Sequence, residues 1–371
     1  MAVARAHAAG RRMSGRLRIL CLTNMWPGPR DPDFGAFVAD MCRALEARGH
    51  AVEPVVIDRR GSGAGRTPAK YAALAARAVR RARDADVIYG HFLFPTGAVA
   101  AAAARAAGIP YVLTAHGQDV RNLERRAVRA ATAAALRGAA SVIAVSRYLA
   151  GELRRSGVPL PPVNVVDMGV DMSRFTVGDR GAARARLGLG AEGALVVAVG
   201  GLTERKNPLG LLQAFARLRG ERPDTRLAYV GDGPLAGAID AGARRLGLSG
   251  AIVRPGALPH DRVRDWVAAA DVLALVSRVE PLGIAALEGL AGGRPVVATR
   301  VGGTCEVVPV PRAGRIVDPA DPGAIARALS AVLADPPDPE TCRAAAAPHS
   351  LERQAARVEA ILRRAAGAAP G

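Results

Sequence analysis

The sequence predicts an α/β protein with two Rossmann-like parallel-sheet domains that face each other across a cleft. The first reason is that short apolar runs rich in Val and Ile alternate with longer helical patterns, as in βαβ units. The second is that this alternation occurs twice, with a polar, turn-rich stretch between the two halves. The third is that 371 residues are too many for one typical domain. Ligands of such sheets bind at the carboxyl ends of the strands, so the predicted site is the cleft between the domains.

The first half of the chain carries six strand-like runs, each short and bounded by turn residues. They lie at residues 17–23, 51–57, 86–90, 110–115, 141–145 and 164–168. Helical stretches such as 35–49 and 96–108 separate them. We predict an N-terminal domain over residues 16–178. The basic residues 1–15 lack the continuous apolar core of a signal peptide and are predicted to be a disordered tail.

The alternation stops between Ser173 and Gly193, where the sequence is polar and turn-rich, and we predict the domain linker there. The second set of strands is predicted at 194–200, 226–231, 251–254, 272–276, 295–299 and 314–317. These strands define a C-terminal domain over residues 179–345. A last helix at about 350–366 lies in the segment 346–371, which we predict to pack back on the N-terminal domain.

Lysine and arginine outnumber aspartate and glutamate, 51 to 33, which gives a net charge of +18. This charge favours anionic partners such as nucleotides, nucleic acid or an acidic membrane surface, and a compositional bias towards arginine is an equal alternative. The four cysteines form no C-x-x-C pair, so the sequence indicates neither a zinc site nor a redox motif and fits a reducing cytoplasm. No apolar run reaches the roughly 20 residues that a membrane-spanning helix needs.

A glycine-rich turn follows the first strand of the second half. Gly200 ends that strand, and Arg205 and Lys206 come shortly before a helix that begins at Pro208. Glycines at such a turn let the backbone approach a phosphate closely, while two cations and a helix N-terminus favour an anion. An ordinary strand-to-helix turn with two solvated cations is the structural alternative.

Two glutamates lie eight residues apart in the otherwise apolar and glycine-rich segment 278–299. Glu280 stands at the carboxyl end of a predicted strand, and Glu288 lies inside the following helix. Gly283, at the start of that helix, leaves backbone N–H groups accessible to an anionic ligand. Carboxylates are costly to bury without a partner, so we interpret the pair as acceptors for hydroxyl groups of a sugar and of a ribose. Helix capping by Glu280 and a solvated helix face for Glu288 are the alternatives.

Two further candidates lie in the first half. His116 follows the strand predicted at 110–115, where a histidine can hydrogen-bond a ligand or transfer a proton, or is only a satisfied polar residue of a loop. Gly35 stands at a helix start near the end of the first strand, which makes a second candidate anion site.

Taken together, these segments resemble the retaining, nucleotide-sugar-dependent glycosyltransferases called glycosyl transferases group 1, which have the GT-B fold. The most specific motif is E-x7-E, present as Glu280 and Glu288 within EPLGIAALEGLAGGRPVVAT. The segment TAHGQDV around His116 is similar to the T-x-H-G-x-D segment of that family. The resemblance covers residues 17–335 approximately.

The resemblance implies a role for each candidate residue. In this family the second glutamate of the motif binds the ribose, the first lies beside the donor sugar, and a lysine at the position of Lys206 binds the diphosphate. The histidine contacts the donor sugar, and the glycine loop around Gly35 lies near the phosphates and the acceptor. The predicted catalytic residues are therefore Glu280 and His116, and the predicted donor-binding residues are Glu288, Lys206, Arg205, Gly283, Leu282, Gly35 and Gly200.

Two departures from the family pattern concern the donor site, and a third, Met168 in place of an asparagine, is interpreted as structural. Gly201 occupies the place of an arginine that binds the diphosphate, and Arg205 is the candidate substitute. Pro281 stands in a turn that usually contains an aromatic residue, and proline removes one backbone N–H donor. Both changes concern donor affinity more than the fold.

The resemblance predicts sugar transfer from a nucleotide sugar, with a UDP- or GDP-sugar favoured, to a glycan, lipid-linked or small-molecule acceptor in cell-envelope polysaccharide or glycoconjugate synthesis. The N-terminal domain would be the acceptor side and the C-terminal domain would bind the donor. No metal is required. Nucleic-acid binding is not expected, because aromatic residues make up only 4% of the chain. A cytoplasmic protein, with its arginines at the anionic inner face of the membrane, is expected. A sugar-nucleotide epimerase on the same fold and a non-catalytic basic surface-binding protein are the alternatives.

Overall fold

The computed structural model describes residues 15–59 and 67–367, which form two compact units. The described residues up to Met168, together with those from Glu352 onward, make the first unit, and Gly169–Leu351 make the second. This division falls before the boundary predicted at 178/179, and residues 346–351 belong to the second unit. The predicted tail, residues 1–15, lies outside the described residues except for Gly15.

The described part of the first unit contains a six-stranded parallel sheet with the strand order β2-β1-β3-β4-β5-β6. Its strands are β1 (Arg18–Thr23), β2 (Ala51–Val56), β3 (Val87–His91), β4 (Tyr111–Ala115), β5 (Ser141–Ala144) and β6 (Val163–Val165). The helices between them are α1 (Ala36–Ala47), α2 (Thr67–Ala82), α3 (Thr96–Ala107), α4 (Gln118–Arg121), α5 (Arg126–Arg137) and α6 (Arg147–Arg155). Every residue of β3, β4 and β5 is buried, as expected for parallel strands covered by helices on both faces.

The second unit contains another six-stranded parallel sheet, with the order β12-β11-β10-β7-β8-β9. Its strands are β7 (Leu195–Val199), β8 (Arg226–Val230), β9 (Ile252–Gly256), β10 (Val272–Leu275), β11 (Val296–Thr299) and β12 (Gly314–Val317). Its helices are α7 (Arg180–Arg186), α8 (Pro208–Glu221), α9 (Ala236–Arg245), α10 (His260–Ala269), α11 (Ile284–Ala291), α12 (Thr304–Val307), α13 (Pro322–Ala334) and α14 (Pro339–Ala346). Phe215, Tyr229 and Leu329 are fully buried members of its core.

These two sheets confirm the predicted α/β class with Rossmann-like sheets. All twelve predicted strands occur, and the largest difference is at β6, which ends at Val165 rather than at residue 168. In the second sheet the strand order reverses between β7 and β10, and in the first between β1 and β3. Ligands of doubly wound sheets bind at the carboxyl ends of the strands at such a reversal. The loops after β7 and β10, and those after β1 and β3, are therefore the candidate ligand-binding loops.

The segment 173–193, which we predict to be a linker, belongs to the second unit. It contains α7, and Arg184 in that helix is buried, with 3% of the residue exposed. Arg184 donates hydrogen bonds to Asp271 and to the carbonyls of Ala269 and Gly193. The polar composition of the segment hides this anchoring, because a buried arginine with a carboxylate and carbonyl partners is stable although it looks solvated in the sequence.

The last helix, α15 (Leu351–Ala366), packs within the first unit through a charged cluster. The carboxylate of Glu359 accepts hydrogen bonds from Arg48 and Arg363, and its Oε1 lies 3.1 Å from Nε2 of His50. His50 is itself held by the backbone N–H of Leu17, which donates to its Nδ1. This cluster ties α15 to the start of β1 and to the segment that precedes β2.

The arginines that we expect at a membrane surface are all exposed, and membrane association stays a prediction. They are Arg77, Arg80, Arg81, Arg83, Arg121, Arg125, Arg126 and Arg129. None of the helices in the described part of the chain combines the length and the apolar character needed to cross a membrane.

We predict that Glu359→Gln destabilises the first unit by about 2 kcal/mol at pH 7. Burial would raise the pKa of Glu359, but the hydrogen bonds from Arg363, Arg48 and His50 lower it from the ordinary value of 4.5 to about 2. Because the folded-state pKa is the lower one, the stabilisation is complete above about pH 4.5 and disappears as the pH falls towards 2. The difference in unfolding free energy between the wild type and Glu359→Gln should therefore shrink as the pH falls from about 4.5 towards 2.

Urea unfolding can follow the first unit alone. The chain has two tryptophans, Trp26 and Trp266, and Trp26 packs against the core of the first unit. In a Trp266→Phe background, the fluorescence of Trp26 reports this unit. Glu352→Gln, an exposed position on the same helix, is the control and should change stability little. Equal effects of the two substitutions, or an effect of Glu359→Gln that does not change with pH, would contradict the prediction.

Candidate functional site

The loops after β7 and β8 approach each other so closely that glycine is required. Gly200 and Gly231 both have a positive φ, of 136° and 148°. A Cβ atom on Gly231 would lie 2.2 Å from the carbonyl oxygen of Gly200. The contact between the two loops explains Gly231, and the positive φ explains Gly200. The backbone of Gly200 also lies next to the side chain of Lys206, since a Cβ on Gly200 would lie 3.6 Å from Cε of that lysine.

Lys206 and Glu280, 74 residues apart in the sequence, meet at the reversal point between β7 and β10. Nζ of Lys206 donates to Oε2 of Glu280 at 2.6 Å, and Oγ of Ser277 donates to the same oxygen at 3.0 Å. Glu280 is only 6% exposed, so these two partners stabilise a buried carboxylate. An ammonium group has three N–H donors, which leaves Lys206 with donors for a further acceptor. Among the described residues, the partners of the Glu280 carboxylate are thus two side chains and not the backbone N–H groups of a helix start, so helix capping, the alternative for Glu280, does not fit.

Asn207, which the sequence did not indicate, holds Lys206 in place. Lys206 ends a short 3₁₀ turn (Glu204–Lys206), and Asn207 follows in the left-handed conformation with φ 55°. The Asn207 side chain is buried, and its amide donates to the carbonyls of Val276 and Pro319, both at 3.2 Å. These bonds attach the turn to the end of β10. The only signal in the sequence is an asparagine before a proline, which indicates a turn and no particular contact.

Arg205 lies in the same turn and fixes it by its backbone. Its carbonyl oxygen accepts a hydrogen bond of 2.8 Å from the backbone N–H of Arg278. In the described part of the chain, the guanidinium of Arg205 has no hydrogen bond or ion pair. This cation is therefore available to an anionic ligand.

The turn that leads into α11 is rigid and presents backbone donors. Gly283 precedes the helix with φ 109°, and Leu282 is buried. The N–H groups of Leu282 and Gly283 donate to no other group of the residues that the structure describes. Gly303 packs against the turn, where a Cβ would lie 2.4 Å from the carbonyl oxygen of Pro281. The helix N-terminus adds a partial positive charge, so this turn suits a negatively charged group.

Glu288 lies on the buried side of α11, which excludes the solvated helix face that was the alternative. It is 5% exposed, and its Oε1 accepts a hydrogen bond of 2.7 Å from Nε2 of His260 at the start of α10. The sequence did not indicate His260, because nothing in its local pattern distinguishes it from a polar residue at a helix start.

His116 lies in the first unit, at the carboxyl end of β4, among aromatic rings. Its ring lies 5.2 Å from that of Phe37 and 4.5 Å from that of Phe92, between centroids. Its Nε2 is 3.1 Å from Nδ1 of His91, a fully buried residue that the sequence did not indicate. Burial lowers the pKa of His116 to about 3, so the ring is neutral at physiological pH. His116 is therefore equipped to hydrogen-bond a ligand as a neutral imidazole.

Asp119 builds the loop that carries His116. Its carboxylate accepts hydrogen bonds from the backbone N–H groups of His116, Gly117, Val120 and Leu93, at 2.8–3.3 Å. The bond to Leu93 connects the loop after β4 to the loop after β3. Asp119 is thus a structural residue, 2% exposed.

Gly35 lies at the N-terminus of α1, as predicted, and its left-handed conformation explains the glycine. It has φ 76°, and a Cβ would lie 2.4 Å from the carbonyl oxygen of Met25. The helix N-terminus is thereby placed near the end of β1, one of the two strands at the reversal point of the first sheet.

No metal centre is formed by the residues described. No group of three or more His, Cys, Asp or Glu side chains among them is arranged to hold a metal ion. Asp86, part of a D-x-D spelling before β3, instead accepts hydrogen bonds of 2.8 Å from the backbone and the guanidinium of Arg18.

Comparison with known proteins identifies the family. Residues 179–349 match the model for glycosyl transferases group 1, and residues 35–174 match that for glycosyltransferase family 4. D-inositol 3-phosphate glycosyltransferase 1 of Catenulispora acidiphila is 31% identical over 296 residues, which cover 73% of this chain and 69% of that protein. The chain belongs to the glycosyl transferases group 1. The resemblance predicted from the motifs is confirmed, and this glycosyltransferase is an enzyme of that type.

Other relatives and solved structures agree with this membership. The GDP-mannose-dependent alpha-(1-6)-phosphatidylinositol monomannoside mannosyltransferase of Mycolicibacterium smegmatis is 33% identical, over 68% of each chain. A second inositol 3-phosphate enzyme of C. acidiphila is 37% identical, and the match spans only 43% of its length. The structure of HepE from Anabaena in complex with UDP is similar with a TM-score of 0.75 at 22% identity, over 94% of this chain and all of HepE. This similarity confirms the GT-B fold.

We predict that Asp119→Ala lowers the unfolding free energy of the first unit of this glycosyltransferase by about 3 kcal/mol, because it leaves several buried N–H groups without an acceptor. Gln118→Ala is the matched control, since its exposed side chain bonds only that of Asn122 among the described residues, and it should change stability by less than about 0.5 kcal/mol. Urea unfolding monitored through Trp26 gives both values. A cost for Asp119→Ala no larger than that of the control would show that the loop does not depend on this carboxylate.

Proposed function

We propose that this glycosyltransferase transfers a hexosyl group from a nucleoside-diphosphate sugar to a hydroxyl acceptor, with retention of the anomeric configuration. The observation that carries the proposal is the meeting of Lys206 and Glu280, 2.6 Å apart, at the reversal point of the second sheet. The loop after β7 then contributes a cation with unused donors, and the loop after β10 contributes a buried carboxylate and a helix N-terminus. A negatively charged leaving group next to a hydroxyl-rich sugar requires this combination.

The cationic groups would serve the departing diphosphate. As the bond between the anomeric carbon and the phosphate oxygen breaks, negative charge develops on that oxygen. Lys206, the free guanidinium of Arg205 and the N–H groups of Leu282 and Gly283 would stabilise it. Because Asn207 fixes the turn, Lys206 needs little rearrangement to reach a phosphate.

Retention follows from the role we assign to the leaving group. The acceptor oxygen forms its bond to the anomeric carbon on the face that the diphosphate leaves, and the acceptor proton passes to an oxygen of the departing phosphate. Glu280 is engaged by Lys206 and Ser277, which suits a carboxylate that positions the sugar and stabilises a cation-like anomeric centre. We propose that Glu288 binds the ribose, that neutral His116 hydrogen-bonds the transferred sugar, and that Gly35 keeps the start of α1 open to phosphate or acceptor.

Similar proteins support the choice of donor and acceptor. HepE structures contain UDP or UDP-glucose, and the mycobacterial relative is named for GDP-mannose. We therefore propose a UDP- or GDP-sugar as donor. The relatives named for inositol 3-phosphate and for a phosphatidylinositol mannoside support an acceptor that is a polyol phosphate or a lipid-linked glycan.

The test measures nucleotide release from UDP-, GDP- and ADP-sugars, with and without a lipid and glycan extract. We expect release from one donor that depends on the extract, and a product whose anomeric configuration by NMR matches that of the donor. Lys206→Met should lower kcat/KM at least about a hundredfold through lost charge stabilisation. Glu204→Gln, an exposed neighbour in the same turn, is the matched control and should change it little.

Three outcomes would contradict the proposal. Conversion of the sugar without an acceptor and without net nucleotide release would identify an epimerase. An inverted product would refute retention. No binding of any nucleotide would favour a non-catalytic, surface-binding protein.

We also predict that Gly201→Arg strengthens binding of the nucleoside diphosphate by about threefold to tenfold. Gly201 has no positive φ, and the nearest atom that a Cβ would meet is the carbonyl oxygen of Asp232 at 3.7 Å, so the loop accommodates a side chain. The added guanidinium supplies the cation that the family usually has there. Calorimetric titration with UDP and GDP measures the change in affinity. Gly201→Ala is the control, because it stiffens the backbone in the same way but adds no charge. An affinity gain equal to that of the alanine variant, or a loss, would refute a diphosphate next to Gly201.

A further inference from the structure

His260 contacts the carboxylate to which we assign the ribose, and its own orientation is fixed from the opposite side. Nε2 of His260 lies 2.7 Å from Oε1 of Glu288. Nη1 of Arg174 lies 2.8 Å from Nδ1 of the same imidazole. The ring of Phe175 is 5.6 Å away, between centroids. All four residues belong to the second unit.

The hydrogen-bonding capacities of Arg174 and Glu288 determine which ring nitrogen of His260 carries the proton. A guanidinium only donates hydrogen bonds, so Nδ1 must present its lone pair to Arg174. The one proton of the neutral ring is then on Nε2, which donates to the carboxylate of Glu288. A second proton, on Nδ1, would point at the N–H groups of Arg174. The arrangement therefore favours the neutral Nε2–H tautomer.

Arg174 is anchored as well, so it holds the imidazole firmly. Its guanidinium lies 3.5 Å from Asp171 and 3.4 Å from Asp261. The side chain of Arg174 is mostly buried, whereas that of Asp261 is exposed. The two carboxylates compensate the charge of Arg174, and its Nη1 donates to His260.

One oxygen of Glu288 is thus occupied and the other is available. Oε1 accepts from His260, and Oε2 has no hydrogen-bond partner among the described residues. A glutamate side chain that is free to rotate loses conformational entropy when a ligand orders it, which weakens binding. In the arrangement with His260, the protein has already ordered it.

We propose that His260 is a positioning residue that aims Glu288 at the ribose diol of the donor, with Arg174 setting its tautomer. This inference rests on the ribose-binding role proposed for Glu288. His260 itself need not touch the nucleotide. Its contribution is to hold Oε1 so that Oε2 meets the two ribose hydroxyls without further rearrangement.

The first experiment reads the tautomer directly, without any nucleotide. The chain has six histidines, so ¹⁵N NMR of the protein labelled at histidine is tractable, and His260→Gln identifies the signals of His260. We expect at neutral pH a protonated Nε2 and a bare Nδ1, and in Arg174→Gln a loss of this fixed tautomer. A protonated Nδ1, or a doubly protonated ring, would overturn the assignment.

The second experiment compares binding of a nucleoside diphosphate with that of its 2′,3′-dideoxy analogue. UDP, GDP and ADP are titrated first, and the base that binds most tightly is used. The wild type should prefer the ribose form, and Glu288→Ala should abolish the preference. His260→Phe, which keeps a ring of similar shape but has no donor, should reduce the preference about tenfold. His260→Gln retains an N–H donor and should keep most of the preference.

Asp265→Asn is the control for damage to α10. Asp265 lies in the same helix as His260, and the substitution removes its ion pair of 3.1 Å with Arg186 of α7. It should leave the preference for ribose unchanged. If His260→Phe weakens both nucleotides equally, the histidine is merely structural and the proposal fails.

These measurements distinguish a failure of the role proposed for His260 from a failure of the role proposed for Glu288. If Glu288→Ala abolishes the preference and His260→Phe keeps it, His260 does not position Glu288, although the proposed function stands. If Glu288→Ala keeps the preference, or if no nucleotide binds, the role assigned to Glu288 is wrong and the inference falls with it.

Discussion

The contact between Lys206 and Glu280 is the interaction on which the site in the second unit depends. A buried carboxylate without a partner would cost several kcal/mol, so Glu280 at the end of β10 needs a cation and further hydrogen-bond donors as partners. Lys206 and Ser277 are these partners. The surrounding backbone supports this position of Lys206: Asn207 holds its turn, and Gly200 in the preceding loop adopts a positive φ next to the lysine side chain.

Neutral histidines are the second theme of the structure. His116 is kept uncharged by burial among aromatic rings, and His260 is held in one tautomer by an arginine that cannot accept a proton. In both places the imidazole offers a directed hydrogen bond and no net charge. In a protein with a net charge of +18, these two donors add no further positive charge to their surroundings.

The departures from the family pattern have local explanations in the structure. The loop around Gly201 has space for a side chain, so its glycine is not demanded by the backbone, unlike Gly200 and Gly231. The guanidinium of Arg205, which has no partner among the described residues, lies in the same loop and is the substitute cation that we propose. Pro281 lacks an N–H donor, but its carbonyl packs tightly against Gly303, and the turn still presents the amides of Leu282 and Gly283.

The sequence by itself determined the alternation of strands and helices, the two α/β units and the family, because hydrophobic periodicity and the E-x7-E spacing are local properties of the chain. It also indicated Glu280, Glu288, Lys206 and His116. Only the tertiary structure decided what those residues contact. Asn207, His91 and His260 have unremarkable neighbours in the sequence and become important through partners that are 25 to 112 residues away. The segment 173–193 looked like a linker for the same reason, because its buried arginine is stabilised by a carboxylate 87 residues later. A pattern along the chain reports which face of an element is apolar, whereas a hydrogen bond between distant residues exists only after folding has brought the donor and the acceptor together.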